Sequence, residues 1–413
     1  MKDNNIKDLE KQYGQFIYPE PCEDIEQDFI KKNRFLYPDP NWHWHKLWPE
    51  KPYSSKKLNI LVAGCGSDQA AILSKCNPNH DFVGIDLSET SLAHQRKLIK
   101  KHHIKNLQLI CGDFRLVKFV KKFDYIISTG VIHHLAEPGS ALKYFNQNLE
   151  DDGVIYLLVY GDKVRYSLNQ LKKVFNAIQL DQSEKSIEVV KKLIGKLHEE
   201  HPAKRFSTSQ KDMDYNAGIV DLCLHQHETF YSIKEFISLI SEHELIIKNF
   251  LSGNIRAITK YFIDDKESYN KIKNLSVEDQ WELAQILNWT DRKIEVVCSK
   301  KKDLKKSLAY NPVNQNDIYT YIFTDVKYNI VNQNISVFDN QTKLDFSFPK
   351  EANINWNVIL GGKEKLSNIL NNFNEPIKTN LRSTINFMIE NCLLDISLHP
   401  IADYGQNYNK KTS

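Results

Sequence analysis

Two stretches of this chain carry residue types at spacings that suit cofactor chemistry. The run LNILVAGCGSDQAAIL, Leu58 to Leu73, is apolar as far as Ala63, turns on Gly64 and Gly66 around Cys65, and resumes as a helical pattern. A buried strand that breaks on glycines and enters a helix presents backbone N–H groups to a ligand, because glycine has no Cβ to hold it off. The run DFVGIDLSETSL follows and ends its apolar part on Asp86, twenty residues after Gly66. A carboxylate at that spacing reaches the two hydroxyls of a ribose. Together the stretches predict a site for a nucleoside cofactor.

Which nucleoside follows from what surrounds them. A dinucleotide site needs a third glycine at the third residue after Gly66, and the chain has Gln69 there, which argues against NAD and FAD. Further on, CGDF offers Asp113 to an exocyclic amine and the apolar face of Phe114 to a purine. FDYIISTGVIHHL then opens from an apolar run into a loop of small residues at Thr129 and Gly130. Ligands of open α/β sheets lie beyond the C-terminal ends of the strands. The expected cofactor contacts are therefore Ala63, Gly64, Cys65, Gly66, Asp68, Asp86, Leu87, Asp113, Phe114, Thr129 and Gly130. Acids for ribose and adenine, with no grip on a diphosphate, suit S-adenosylmethionine.

A methyl group on sulfonium is already electrophilic, so the protein's main task is to align the acceptor. A base is needed only where the acceptor must lose a proton. His133 and His134 stand where that base would sit, His134 ahead of His133, against the plainer reading that one caps a helix and the other packs on the sheet. Tyr160, Asp162, Lys163 and Arg165 follow the fifth strand and are expected to line the acceptor pocket, or to be ordinary loop polarity. His225, His227 and Glu228 in LHQHET resemble metal-ligand spacing. An extended segment would point the two histidines to one face and the glutamate to the other, so no metal is expected.

The elements that must position these residues alternate. Strands are predicted at Asn59–Ala63, Phe82–Asp86, Leu107–Cys111, Tyr125–Thr129 and Val154–Val159, separated by helices such as Leu92–Lys101 and Ser140–Asn148. Apolar runs joined by helices predict a parallel sheet covered on both faces. One long helical stretch is expected from about Lys163 to His201, then helix Ile233–Ile240, strand Leu245–Leu251, helix Val277–Leu287 and strand Lys293–Cys298, completing seven strands. Residues 1–57 read as an extension rich in Trp and Pro, either a strap packed on the domain that follows or a lid over the cofactor or substrate. Residues 58–302 read as the catalytic domain with a helical insertion at about 163–243. Residues 303–413, beyond the charged run SKKKDLKKS, read as a small α+β, winged-helix-like domain. Its strands are expected at Tyr319–Phe323, Ile335–Phe338 and Leu344–Phe348, and its helices near Asn355–Leu360, Glu364–Asn371 and Leu381–Asn391.

Composition bounds the partners. Of 413 residues 26% are charged, with a net charge of +3, so neither nucleic acid nor a membrane is an expected partner. Seven scattered cysteines without a CxxC pair suit reduced thiols and a cytoplasmic setting.

AGCGSD, GIDLS, CGDF, FDYIISTGVIHHL and the DDG turn together resemble a class I S-adenosylmethionine-dependent methyltransferase over residues 58 to 300. YPDPNWHW, DLSETSLAHQ, GVIHHL and VDLCLHQHETFYS further resemble a bacterial group of such enzymes. The resemblance implies a Rossmann-like, doubly wound seven-stranded sheet, S-adenosylmethionine as cofactor, and a small-molecule or protein acceptor, the histidine loop being more usual with small molecules. Asp68 stands where the family has a third glycine, and Val62 where it usually has an acid. A catalytically silent cofactor-binding protein acting through its C-terminal domain is the alternative, and a second copy of the chain is a further candidate partner.

Overall fold

The structure, a computed structural model, describes residues 2–30, 38–48, 56–251, 258–262, 265–287, 293–301, 318–322, 326–339, 342–391 and 393–398. Seven strands form one sheet: β1 (Asn59–Ala63), β2 (Asp81–Asp86), β3 (Leu107–Cys111), β4 (Phe123–Thr129), β5 (Leu149–Tyr160), β6 (Leu245–Phe250) and β7 (Lys293–Lys300). Their order is β3-β2-β1-β4-β5-β7-β6. The neighbours from β3 to β5 are parallel, as continuous apolar runs demand, whereas β7 returns antiparallel to β5. The expected seven-stranded, Rossmann-like sheet is present, but it is mixed and not wholly parallel. Its order reverses between β1 and β4, which opens a crevice at their C-terminal ends.

The helices are α1 (Lys2–Gln15), α2 (Trp44–Leu47), α3 (Gln69–Cys76), α4 (Glu89–Lys101), α5 (Pro138–Asn148), α6 (Asp162–Ala177), α7 (Glu184–Lys196), α8 (Pro202–Thr208), α9 (Asn216–Cys223) and α10 (Ile233–Glu242). The stretch expected as one long helix is two. Gln179 takes a left-handed φ of 54°, and Ser183 caps α7 by accepting from the Ser186 amide. From α6 to α9 the insertion builds its own core around Leu168, Phe175, Ile187, Val190, Ile219 and Val220.

Two compact units divide the chain. The first takes the described residues 2–30, 56–248 and 293–301, and the second takes 38–48, 249–251, 258–287 and 318–398. The extension expected as one piece is therefore split between them, and helix Val277–Leu287 counts with the second unit, where Trp281 packs on Phe250 at 4.4 Å. The boundary expected near 303 lies outside the described residues.

In the second unit β8 (Tyr319–Ile322) pairs antiparallel with β12 (Leu394–Ser397), and β9 (Lys327–Val331), β10 (Asn334–Asp339) and β11 (Thr342–Phe346) form a meander. Helices Trp356–Leu360, Leu366–Asn371 and Glu375–Glu390 close over a core centred on Trp356, Ile359, Leu381 and Ile385. Trp42, Trp44 and Trp48 are buried here, and Lys46 pairs with Asp395. This aromatic stretch is a packed strap of the second unit.

Close packing of α3 on the sheet sets the crevice wall. A Cβ on Gly84 of β2 would lie 2.9 Å from Leu109, 3.1 Å from the Ala70 Cβ and 3.1 Å from the Cys65 Sγ. The close helix–strand contact that a third loop glycine would allow is thus supplied from the strand side. Gly84→Val overpacks this contact and is expected to cost about 1–3 kcal/mol, read as a lower urea midpoint with unchanged slope.

Candidate functional site

The glycine turn is built from left-handed residues. Gly64 has φ 73°, and a Cβ there would stand 2.3 Å from Val131 Cγ2, so both the backbone and the neighbouring loop demand glycine. Gly66, at φ 58°, donates its amide to Asp86 Oδ2 at 2.7 Å, and Ser88 donates to Oδ1 at 2.9 Å. Burial raises the Asp86 pKa, and these amides oppose the rise. A carboxylate has about four acceptor sites, so these amides leave it capacity for a ribose hydroxyl. Gln95, fully buried on α4, clamps the turn from below: its Nε2 donates to the Gly66 carbonyl at 2.7 Å and its Oε1 accepts from the Ala71 amide at 3.0 Å.

Space for a ligand lies beside these glycines. A Cβ built on Gly112 or Gly130 would meet nothing within 4 Å, and one on Gly66 only the Tyr18 carbonyl at 3.9 Å. The cradle thus runs along the ends of β1, β2, β3 and β4. Half-buried Leu87 and Thr129 border it, and Thr129 accepts from Gln69 Nε2 at 2.8 Å. Ala63 and Cys65 turn their side chains into the core, so only their backbone serves the turn.

Two expected adenine contacts are placed otherwise. Asp113 caps the next turn and is gripped by Arg115, whose Nη2 lies 2.7 Å and Nε 3.0 Å from its two oxygens. That guanidinium takes much of the carboxylate's acceptor capacity. Phe114 is buried against Phe145, with ring centroids 5.3 Å apart and planes 19° apart, so its face belongs to the core and not to a purine.

Asp68 has a partner that the sequence does not announce. Its Oδ2 accepts from the Cys22 amide at 3.0 Å, while His94 Nε2 meets the Cys22 carbonyl at 2.8 Å and Ser88 donates to the Tyr13 carbonyl at 2.9 Å. Residues 13–22 therefore lie along the glycine turn.

On the acceptor side, a single turn at Ile132–His134 follows Val131 and buries both histidines. His133 packs at a tilt against both His134 and Tyr160, at centroid distances of 4.1 and 4.3 Å. Neither nitrogen of His133 has a hydrogen-bond partner among the described residues. His134 Nδ1 donates to the His227 carbonyl at 3.1 Å and its ring lies on His225, 3.9 Å between centroids. Burial pushes His134 down to about 4, and His133 and His225 well below the usual histidine range. All three rings are neutral at pH 7.

Arg165 lies over the Tyr160 ring, 3.4 Å from its centroid, and shares Glu228 with Lys172. Asp162 and Lys163 pair with each other at 2.7 Å, apart from this cluster. His225 comes from the loop after α9, and α9 itself contributes a residue the sequence reading missed. Asp221 is buried and accepts from the Tyr13 hydroxyl at 3.2 Å. His134, Asp221 and His225 bring a nitrogen or oxygen atom each within 4.8 Å of one another. Rings stacked 21° from parallel keep their in-plane lone pairs from converging on one ion, and Arg165 and Lys172 already supply positive charge. The cluster is suited to holding and moving protons. A cleft of about 260 Å³ between α1 and residues 181–183 reaches His225.

Fold and site together define the class I S-adenosylmethionine-dependent methyltransferase architecture. Residues 54–213 match a family model described as a methyltransferase domain. PKMT2 from Rickettsia typhi, solved in complex with AdoHcy, shares the fold with a TM-score of 0.67 at 16% identity, covering 88% of this chain and 76% of that one. An uncharacterised protein of Synechococcus sp. is 25% identical over 34% of this chain, and one of Rickettsia prowazekii 31% identical over 24%. Those matches span 36% and 18% of the two relatives' own lengths. No described helix is long and apolar enough to cross a membrane.

Asp68 is the hook of residues 13–22. Asp68→Ala removes a charge-assisted bond of about 1.5–3 kcal/mol, so the Cys22 amide is expected to exchange with deuterium roughly 10- to 100-fold faster.

Proposed function

We propose that the protein transfers the methyl group of S-adenosylmethionine to an acceptor that carries an N–H or O–H proton, on a small molecule or a protein. The observation that carries this reading is the shared β4 loop. Val131 packs on Gly64 of the cofactor turn, and His133 and His134 follow directly into the acceptor cluster. A cofactor in the glycine cradle and an acceptor beside the histidines would therefore face each other across one turn of chain.

When bound, S-adenosylmethionine supplies a methyl group made electrophilic by positively charged sulfur. Gly64, Gly66, Asp86, Leu87, Thr129 and Gly130 are the residues suited to hold it. The chain's own work is then alignment, which supplies on the order of 7–11 kcal/mol, and acceptance of the acceptor's proton. Tyr160 and His133, their rings in tilted contact, form an aromatic wall for the acceptor. Neutral His134 is a weak base at pH 7, because burial holds its pKa near 4. Its role in this reading is to shape the pocket.

Incubation with S-adenosylmethionine and a bacterial cell extract should yield S-adenosylhomocysteine above the extract's own rate. Tight binding of S-adenosylhomocysteine with no turnover on any extract would favour the silent binding protein instead. Asp86→Ala should weaken S-adenosylhomocysteine binding about 10- to 100-fold by calorimetry. Unchanged affinity would rule out the ribose assignment.

A further inference from the structure

Asp221 is a buried carboxylate on a short apolar helix, a placement that is costly without a reason. Its neighbours explain its orientation. The His227 amide donates to His225 Nδ1 at 3.2 Å, so neutral His225 carries its proton on Nε2. That Nε2 lies 3.4 Å from the Tyr13 hydroxyl, which therefore receives from His225 and donates to Asp221 Oδ1 at 3.2 Å. The backbone of one loop thus fixes a tautomer, the tautomer fixes a hydroxyl, and the hydroxyl fixes one oxygen of the acid. A reactive group oriented by a second group, itself oriented by a third, is the arrangement that activates bases and nucleophiles elsewhere.

We infer that Asp221 is the proton acceptor of the transfer reaction, and that Tyr13 and His225 are positioning residues that aim it. The inference rests on the methyl-transfer reading above. The acceptor's N–H or O–H bond breaks and its proton forms an O–H bond on Asp221. The freed electron pair forms the bond to the methyl carbon, and the pair of the old carbon–sulfur bond stays on sulfur. Asp221 returns its proton to water when product leaves.

The surroundings tune the acid for this work. Burial and then the charge of Glu228 raise its pKa to about 7, against the pull of Arg165 and Lys172 on α6 and of the Tyr13 hydrogen bond. His134 and His225 face it as neutral rings, and the phenols of Tyr18 and Tyr160, both raised by burial, stay protonated beside it. A base half-ionised near neutral pH combines an available charge with a real drive to take a proton. Neither histidine of the β4 loop does.

The full-length protein tests this by infrared difference spectroscopy across pH 5 to 9, with no acceptor required. A carboxyl band is expected to titrate near pH 7, to vanish in Asp221→Asn and to shift upward in pH in Tyr13→Phe, which removes a donor to the charged form. A parallel assay uses tritiated-methyl S-adenosylmethionine with a bacterial cell extract as acceptor. Transfer should rise with pH through the same midpoint, fall about 100-fold in Asp221→Asn, and follow the shifted midpoint in Tyr13→Phe. Transfer with no carboxyl titrating in that range, with an unshifted profile in Tyr13→Phe, or at near-normal rate in Asp221→Asn overturns the inference alone. A carboxyl that titrates as expected, with no transfer above the extract's own at any pH, overturns the methyl-transfer reading and the proton-acceptor role with it.

Discussion

The hydrogen bond from the Gly66 amide to the Asp86 carboxylate ties together the tips of β1 and β2, and much of the site takes its position from it. Because Gly66 is left-handed, its N–H turns toward the neighbouring strand and not into α3. The bond gives a buried acid a partner and gives a turn of small residues a fixed shape. With the turn fixed, Gly64 offers a flat backbone against which Val131 packs. Val131 begins the turn that carries His133 and His134, so the acceptor cluster inherits its place from the cofactor loop.

The cluster beyond that turn is dense in charge yet nearly balanced. Glu228, flanked by Arg165 and Lys172, forms a buried ionic group whose desolvation cost is high. Such a group contributes little net stability. Its effect is to surround Asp221 with charges of both signs: burial raises the acid's pKa first, Glu228 adds to the rise, and Arg165 and Lys172 oppose it. The packed imidazoles, kept neutral by burial, fill the same space without adding charge.

Much of the fold was legible because buried parallel strands are written as unbroken apolar runs: β1 and β3 match their expected spans, and Val277–Leu287 is a helix as expected. The strands β9 and β12 were missed, the first because KYNIV is polar and largely exposed, the second because four residues carry too little pattern. The glycine turn and Asp86 were legible because left-handed backbone and close approach leave few residue choices. Asp113 and Phe114 have local partners, Arg115 and Phe145, that the sequence reading did not foresee. The pairing of Tyr13 with Asp221 spans 208 positions, and no local spacing encodes it. The one trace was an acid inside the apolar run IVDLC, a signal of burial with a purpose.

Tyr13 on α1, Asp221 on α9 and His225 on the loop after it all lie outside the stretch that matches the methyltransferase family model, residues 54–213. In the proposed reading, the matched stretch holds the donor half of the site, and the flanking pieces hold the Tyr13–Asp221–His225 chain on its acceptor half. Divergence can act on the two halves separately. If the protein transfers methyl groups as proposed, a change of α1 or of residues 221–228 would alter the acceptor while leaving the glycine turn, its acid and the sheet beneath them as they are.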